Sequence, residues 1–365
     1  MAALLGDQIP PDAPTGLQDL AFSAYYLSIQ LGAILSFTIL PAMRALLPPP
    51  TNYHVSFIFI AVVIWLVLAI FLIPYRRYRL LPPPEKSAVV TMARLLGTCI
   101  QRRVRGSVVP DEGFLHLAAG DFDDDEIADA AAIGKVCYIF LTMPFFWMLL
   151  DQQATRWVFQ MMSMDRRIPL LGWQFPPEAT GLYNATLVLI LIPLIDWIMT
   201  RYPLPPLKGK MLLGFVLSAV AFLVASTLQI FIDRFPGRIP FLVQLPQFVL
   251  VSAAEVLVYK SALVFAYNEG SHAIRSLTQA LFMLAISVGD LLLSVFSLLA
   301  FLIGNRALEF ALYSVLQLLA AGVFYLQVRN YVPRFAASEP AASREIVSGG
   351  SITADDEEDI VLDDL

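Results

Sequence analysis

A carboxylate stands where a charge is expensive. Glu255 lies in the middle of the apolar run 248–258, Phe-Val-Leu-Val-Ser-Ala-Ala-Glu-Val-Leu-Val. A charge at such a depth in hydrocarbon costs about 2.5–3.5 kcal/mol on insertion scales, so it needs a reason. On a helical wheel Gln244, Gln247, Ser252, Glu255 and Tyr259 fall within about 140° of one another. A polar stripe on an apolar helix has to face a wet cavity or other helices. A carboxyl group in such a place can trade a proton for an ion pair with a cationic ligand. The plainer reading is a buried structural hydrogen bond. Lys260, nearer the end of the same run, can snorkel.

A second stripe follows. Ser276, Gln279, Ser287, Asp290, Ser294 and Ser297 fit an arc of about 80°. They read as the lining of a water-filled path, or for the serines as close helix packing by small residues. A third apolar run carries Lys135 at one end and Asp151-Gln152-Gln153-Ala154-Thr155-Arg156 toward the other. Lys135, Thr142, Gln153 and Arg156 share a face if Pro144 leaves the helical register undisturbed. Asp196, in the next run, sits at a depth similar to Lys135. A Lys135–Asp196 pair is geometrically feasible, and snorkelling at helix ends is the alternative for both.

Other chemistries find no support. Three histidines, His54, His116 and His272, have no metal-ligand spacing. There is no Gly-rich nucleotide loop, and the basic loop lacks the aromatic interleaving of a nucleic-acid surface. Cys99 and Cys137 give no disulfide framework. The sequon Asn184-Ala185-Thr186 lies too close to an apolar run to be a good glycan acceptor. Residues 1–20 are not a signal peptide: they lack a basic start and carry Pro10, Pro11 and Pro14.

The elements that must position these groups are membrane helices. Hydrophobic residues make up 58% of the 365 and charged residues 15%, against about 25% charged in a soluble domain. The apolar residues come in eight blocks, roughly 21–40, 56–75, 133–160, 180–200, 211–232, 241–267, 273–303 and 307–331. Each is near or above the roughly 20 residues that cross a bilayer. Acidic residues concentrate at 121–126 and in the tail 355–364, both read as solvated segments, the tail disordered. Sorting the loops by side puts fourteen Lys and Arg on one side and six on the other. The positive-inside rule makes the first side, with loop 76–132 and both termini, cytoplasmic.

Several stretches resemble one family. Tyr25-Tyr26-Leu27-Ser28-Ile29-Gln30-Leu31-Gly32-Ala33 is similar to the signature F-Y-x-x-I-N-x-G-S on the fifth helix of the proton-coupled oligopeptide transporters. Gly6-Asp7-Gln8 resembles the G-x-D-Q-F of the loop before it. The run Phe146-Trp147 to Arg156-Trp157 resembles F-W-x-x-x-D-Q-Q-x-S-R-W of the seventh helix. Leu245-Pro246-Gln247-Phe248 to Glu255-Val256 resembles I-P-Q-Y-x-L-x-x-x-G-E-V of the tenth, and Ser276-Leu277-Thr278-Gln279-Ala280 the start of the eleventh. Five motifs in the family's order span nearly the whole chain.

The resemblance implies an all-α integral membrane protein of about eight transmembrane helices. It would be a partial major-facilitator fold, with two helices of the N-terminal bundle and a complete six-helix C-terminal bundle. Residues 1–20 become a cytoplasmic loop, 21–75 helices five and six, 76–132 a cytoplasmic linker, 133–333 helices seven to twelve and 334–365 a disordered acidic tail. The family's first-helix motif, E-x-x-E-R-F-x-Y-Y, is not in the chain. The chain is therefore expected to be N-terminally truncated and not to transport alone. The implied activity is not enzymatic: it is proton-coupled transport of di- and tripeptides by alternating access. It needs no cofactor beyond protons as coupling ion, and its partners are small peptides and the lipid bilayer, with no nucleic acid and no signal of oligomeric state. Carried over by position, Glu255 would meet the peptide's amino group, with Tyr25, Gln279, Phe282 and Ser252 as further substrate-binding residues. Asp151 and Arg156 match gating and proton-coupling positions, and Asp196 would pair with a basic residue of the seventh helix, Lys135. Gln30 replaces the signature Asn, Asp290 stands where Asn or another small polar residue is usual, Val264 replaces a common Glu, and Phe282 stands where many members have Trp. The alternatives are a non-transporting membrane fragment or scaffold, or a related porter for histidine, nitrate or another small solute. Plasma membrane and lysosomal or vacuolar membrane both fit.

Overall fold

The computed structural model describes residues 2–10, 15–48, 51–79, 87–106, 108–110, 113–167, 175, 177, 180–202, 207–271, 273–329 and 331. The predicted tail falls outside them. The elements are α1 (Ala2–Asp7), α2 (Thr15–Leu46), α3 (Thr51–Leu72), α4 (Ala88–Val104), α5 (Asp124–Phe140), α6 (Met143–Leu150), α7 (Arg156–Met162), α8 (Thr180–Arg201), α9 (Leu207–Arg234), α10 (Leu245–Glu269), α11 (Arg275–Ile303) and α12 (Arg306–Val328). Short 3-10 turns cover Tyr75–Arg77, Phe114–Ala118, Asp151–Ala154 and Phe241–Gln244. Among the described residues the protein is all-helical. Seven helices are long and apolar enough to cross a membrane, and the bent run from α5 to α7 makes up to eight.

In that bent run Pro144 does disturb the helical register. Pro144 has no N–H to offer the carbonyl of Phe140, and its ring would clash there. The helix stops at Phe140, restarts at Met143 with Pro144 in its first turn, and turns by 42°. The shared face of Lys135, Thr142, Gln153 and Arg156 is thereby broken. The run also starts earlier than its apolar block. Asp123 and Glu126 form a capping box, and Asp124 and Asp125 complete an acidic first turn, which suits the positive end of a helix dipole. Part of the acidic segment read as solvated is thus a helix start.

The core lies between α6, α9, α10, α11 and α12. Phe146, Phe215, Phe222, Phe248, Phe282, Phe310 and Phe324 are fully buried there. Phe215 stacks on Phe324 with ring centroids 5.1 Å apart. Two helix pairs approach closely at glycine. Gly214 on α9 leaves no room for a Cβ against Val258 and Ala254 of α10, and a Cβ on Gly289 of α11 would sit 2.6 Å from Cβ of Trp147 on α6. By contrast α3 exposes Phe57, Ile58, Val62, Ile64 and Trp65, as a helix apolar all round does when lipid is its solvent.

Outside the bundle, α4 packs on the turn Phe114–Ala118 and on α5 through Met92, Leu95, Cys99, Leu117 and Ile127. Arg102 fixes this unit. It donates to the carbonyls of Leu117 and Ala119 and pairs with Asp121 at 2.7 Å.

Candidate functional site

Glu255 is buried where α2, α8 and α10 meet. Its Oε1 accepts from the Tyr26 hydroxyl at 2.6 Å and its Oε2 from Asn184 Nδ2 at 2.8 Å. The Ser252 hydroxyl, one turn away, donates to Asn184 Oδ1 at 2.6 Å. Among the described residues Glu255 has no ion pair. Its partners are neutral donors, so its charge is uncompensated by a cation. Tyr26, rather than the expected Tyr25, reaches Glu255. Phe22, Ser23, Tyr26 and Gln30 are the buried residues of this part of α2, while Tyr25 is half-buried against the core. The i, i+4, i+8 spacing of Phe22, Tyr26 and Gln30 was the available signal. Asn184 was set aside as a sequon, and its side chain is instead fully engaged here.

Aromatic rings wall this carboxylate. Tyr26 stacks on Tyr259 at 4.5 Å. Tyr259 meets Trp147 edge-on at 5.9 Å and Phe282 at 5.5 Å. Phe282 lies fully buried among them and against Phe140. Gln279, one turn before Phe282, is buried and donates to the Leu263 carbonyl at 2.9 Å. Two polar atoms in this wall have no partner among the described residues: Trp147 Nε1, a donor, and Gln279 Oε1, an acceptor. Each such buried group costs roughly 1–3 kcal/mol unless water or a ligand meets it.

The rest of the α10 stripe is structural. Gln160 on α7 accepts from both Gln244 and Gln247, at 2.9 and 3.0 Å, and donates to the Ala225 carbonyl. That amide cluster locks α7, α9 and α10 together.

The pairing proposed for Asp196 is corrected. Its ion-pair partner is Lys260 of α10, with Nζ 2.6 Å from Oδ1, and Ser23 of α2 donates to Oδ2 at 2.8 Å. Lys135 is exposed on α5. Lys260, read as a snorkelling residue, is the cation. The pair borders a crevice that also includes Lys210, Ser261 and Val264.

Arg156 is held inside the bundle. Its Nε is 3.0 Å from Glu309 on α12, and it donates to the Ser297 carbonyl of α11 at 2.9 Å. Asp151, at the turn after α6, lies beside Asp290 of α11. On α11, Ser276, Ser287, Asp290 and Ser294 lie on an open face. Ser287 and Ser294 donate to backbone carbonyls four residues back.

This arrangement defines a multi-span helical membrane protein with a buried, charged seam between its first long helix and the bundle that follows. Solved structures share that fold. An auto-inhibited POT family peptide transporter matches with a TM-score of 0.66 at 21% identity, over 93% of this chain and 75% of that one. The POT family transporter PepTSo matches with a TM-score of 0.66 at 20% identity, over 90% of this chain and 74% of that one. The POT family model matches residues 1–305, and the chain belongs to that family. Human solute carrier family 15 member 2 is 30% identical over 225 residues, 58% of this chain and 30% of that protein. Peptide transporter family 1 of Drosophila melanogaster is 28% identical over 244 residues, 64% of this chain and 32% of that protein. The chain thus spans about a third of the length of these curated relatives.

Proposed function

We propose that this protein serves proton-coupled transport of di- and tripeptides by alternating access, with Glu255 as the group that meets the peptide's amino terminus. One observation carries the reading. Glu255 is a buried carboxylate bound by neutral donors, in a wall that also holds an unpartnered donor on Trp147 and an unpartnered acceptor on Gln279. A peptide brings a cation for the first, and a carbonyl and an amide N–H for the other two. Asp151, beside Asp290, serves as a proton-coupling carboxylate. Residues 21–75 act as the last two helices of one bundle, 133–333 as the six of the other, and 76–132 as the linker between them on the cytoplasmic side. The membrane is the plasma membrane or that of a lysosome or vacuole.

The test is uptake of a labelled dipeptide under an inward proton gradient in cells that express a full-length version carrying the family's first four helices. Glu255→Gln is expected to abolish uptake nearly completely at normal surface abundance. Unchanged uptake would return Glu255 to a structural role. No uptake by the full-length wild type would favour a non-transporting scaffold. Competition by histidine or nitrate, but not by unlabelled dipeptides, would mark a different porter.

A further inference from the structure

α4 has two apolar faces, and the linker unit accounts for one. Met92, Leu95 and Cys99 are buried against the turn Phe114–Ala118 and α5. Val89, Ala93, Leu96, Ile100 and Val104 form a second stripe, within an arc of about 80° at 100° per residue. That stripe is open: Val89 is 60% exposed, Leu96 45%, Ile100 56% and Val104 81%. Arg94, Thr98 and Gln101 occupy the remaining sector of the wheel, which leaves water a face of its own.

The surrounding charge favours one occupant. Residues 76–105 contain eight Lys and Arg, at 76, 77, 79, 86, 94, 102, 103 and 105, against the one acid Glu85. Arg76, Arg77 and Arg79 are exposed at and just after the end of the membrane span Thr51–Arg77, and Arg94 and Arg105 are exposed on and just beyond α4. The neighbouring acid Asp121 is already held by Arg102. The helix is tethered between spans on both sides, so a bilayer surface lies within reach of its stripe. Clusters of basic residues beside a span or on an amphipathic helix are recognised by anionic lipid headgroups, and an amphipathic helix with an apolar stripe inserts at the headgroup boundary.

We propose that α4 docks on the bilayer surface from which residues 76–132 emerge, burying its open stripe among the acyl chains and setting its arginines against anionic headgroups. The membrane then fixes the orientation of the linker unit made by α4, the turn Phe114–Ala118 and the start of α5.

The experiment uses the whole chain reconstituted in vesicles, with Cys99→Ala and Cys137→Ser as background. Nitroxides are placed singly at Leu96, Ile100, Val104 and Gln101, and collision with oxygen and with a water-soluble nickel chelate is measured. The vesicles are phosphatidylcholine with or without phosphatidylserine. The expected result is high oxygen and low nickel collision at the three apolar sites, the reverse at Gln101, and deeper placement with phosphatidylserine. Arg94→Gln and Arg105→Gln should each shift the ratio of inserted to lifted label about fivefold toward lifted in the anionic vesicles. Nickel access at all four sites would overturn the proposal, because the stripe would be solvated. Exclusion of both reagents from the apolar sites would also overturn it, because protein would cover the stripe. Equal depth in both vesicle types would overturn the headgroup assignment.

Discussion

Glu309→Ala tests whether Arg156 is a structural cation. The Arg156 and Glu309 side chains are 11% and 3% exposed, 3.0 Å apart, and they tie α7 to α12. Glu309 also lies in the first turn of α12, after the N-cap Asn305, where the helix dipole favours a negative charge. Removing the carboxylate leaves a guanidinium in a site built for an ion pair, and breaking a buried pair from one side costs about 3–5 kcal/mol. At about 2 °C per kcal/mol for a chain of this size, the melting temperature in detergent should fall by about 6–10 °C. The double variant Arg156→Met, Glu309→Leu removes both charges and should recover most of that loss, because apolar replacement of a whole buried pair is close to neutral. The assay is thermal unfolding of purified single and double variants, read as a double-mutant cycle. A drop under about 1 °C for Glu309→Ala, or additive effects in the double variant, would refute the structural pair and return Arg156 to a mobile gating role.

Lys260→Met should cost about 1–2 kcal/mol of stability, because it strips the cation from the partly exposed pair with Asp196. Lys135→Met should stay within about 0.5 kcal/mol of wild type; equal effects would refute the reassigned pairing. Gly289→Leu should lower stability by about 1–3 kcal/mol or prevent folding, since its side chain meets Trp147 and the Pro144 carbonyl; a neutral effect would show that α6 and α11 separate easily. Burial pushes the Cys99 thiol above the ordinary cysteine range, outweighing the nearby Arg102 guanidinium. The folded state therefore holds that proton more tightly, and the thiol's contribution to stability is lost as pH rises past the ordinary range. Alkylation of Cys99 should stay slow at neutral pH until denaturant is added; rapid native labelling would refute its place in the linker core.

The spans were legible because bilayer crossing is written in run length, and the eight apolar blocks needed no knowledge of partners. Glu255 was legible for the same reason, as a polar residue that hydrocarbon would reject. What stayed hidden was which helix each polar face meets. Periodicity places Ser252, Glu255 and Tyr259 on one side of α10 but does not say that Tyr26 and Asn184 stand opposite. Depth alone made Lys135 a fair partner for Asp196, yet Lys260 holds it, because α8 and α10 are the helices in contact there. The break at Pro144 was foreseeable as a risk to the register. The size of the bend, 42°, is not written in the local sequence.

The contacts that join the first thirty residues to the bundle occur at three levels and differ in kind. Near one end Asp7 pairs with Arg275 at 2.8 Å, Arg275 lies over the Tyr267 ring, and Gln18 donates to Asn268. In the middle the Ser23 hydroxyl bonds to Asp196. Deepest in the seam Tyr26 bonds to Glu255. Hydrogen bonds to charged groups contribute about 1.5–3 kcal/mol each, so any motion that parts α2 from α8 and α10 must replace several such bonds together. Protonation bears unequally on them. An ionised Glu255 accepts from both Tyr26 and Asn184, whereas a protonated one becomes a donor and keeps fewer acceptor sites. Asn184 Oδ1 is already taken by Ser252, so the new proton is most readily accommodated by turning the Tyr26 hydroxyl. A proton at Glu255 thus acts first on the bond between α2 and α10. Protonation of that carboxylate and contact between the helices are coupled through one side chain.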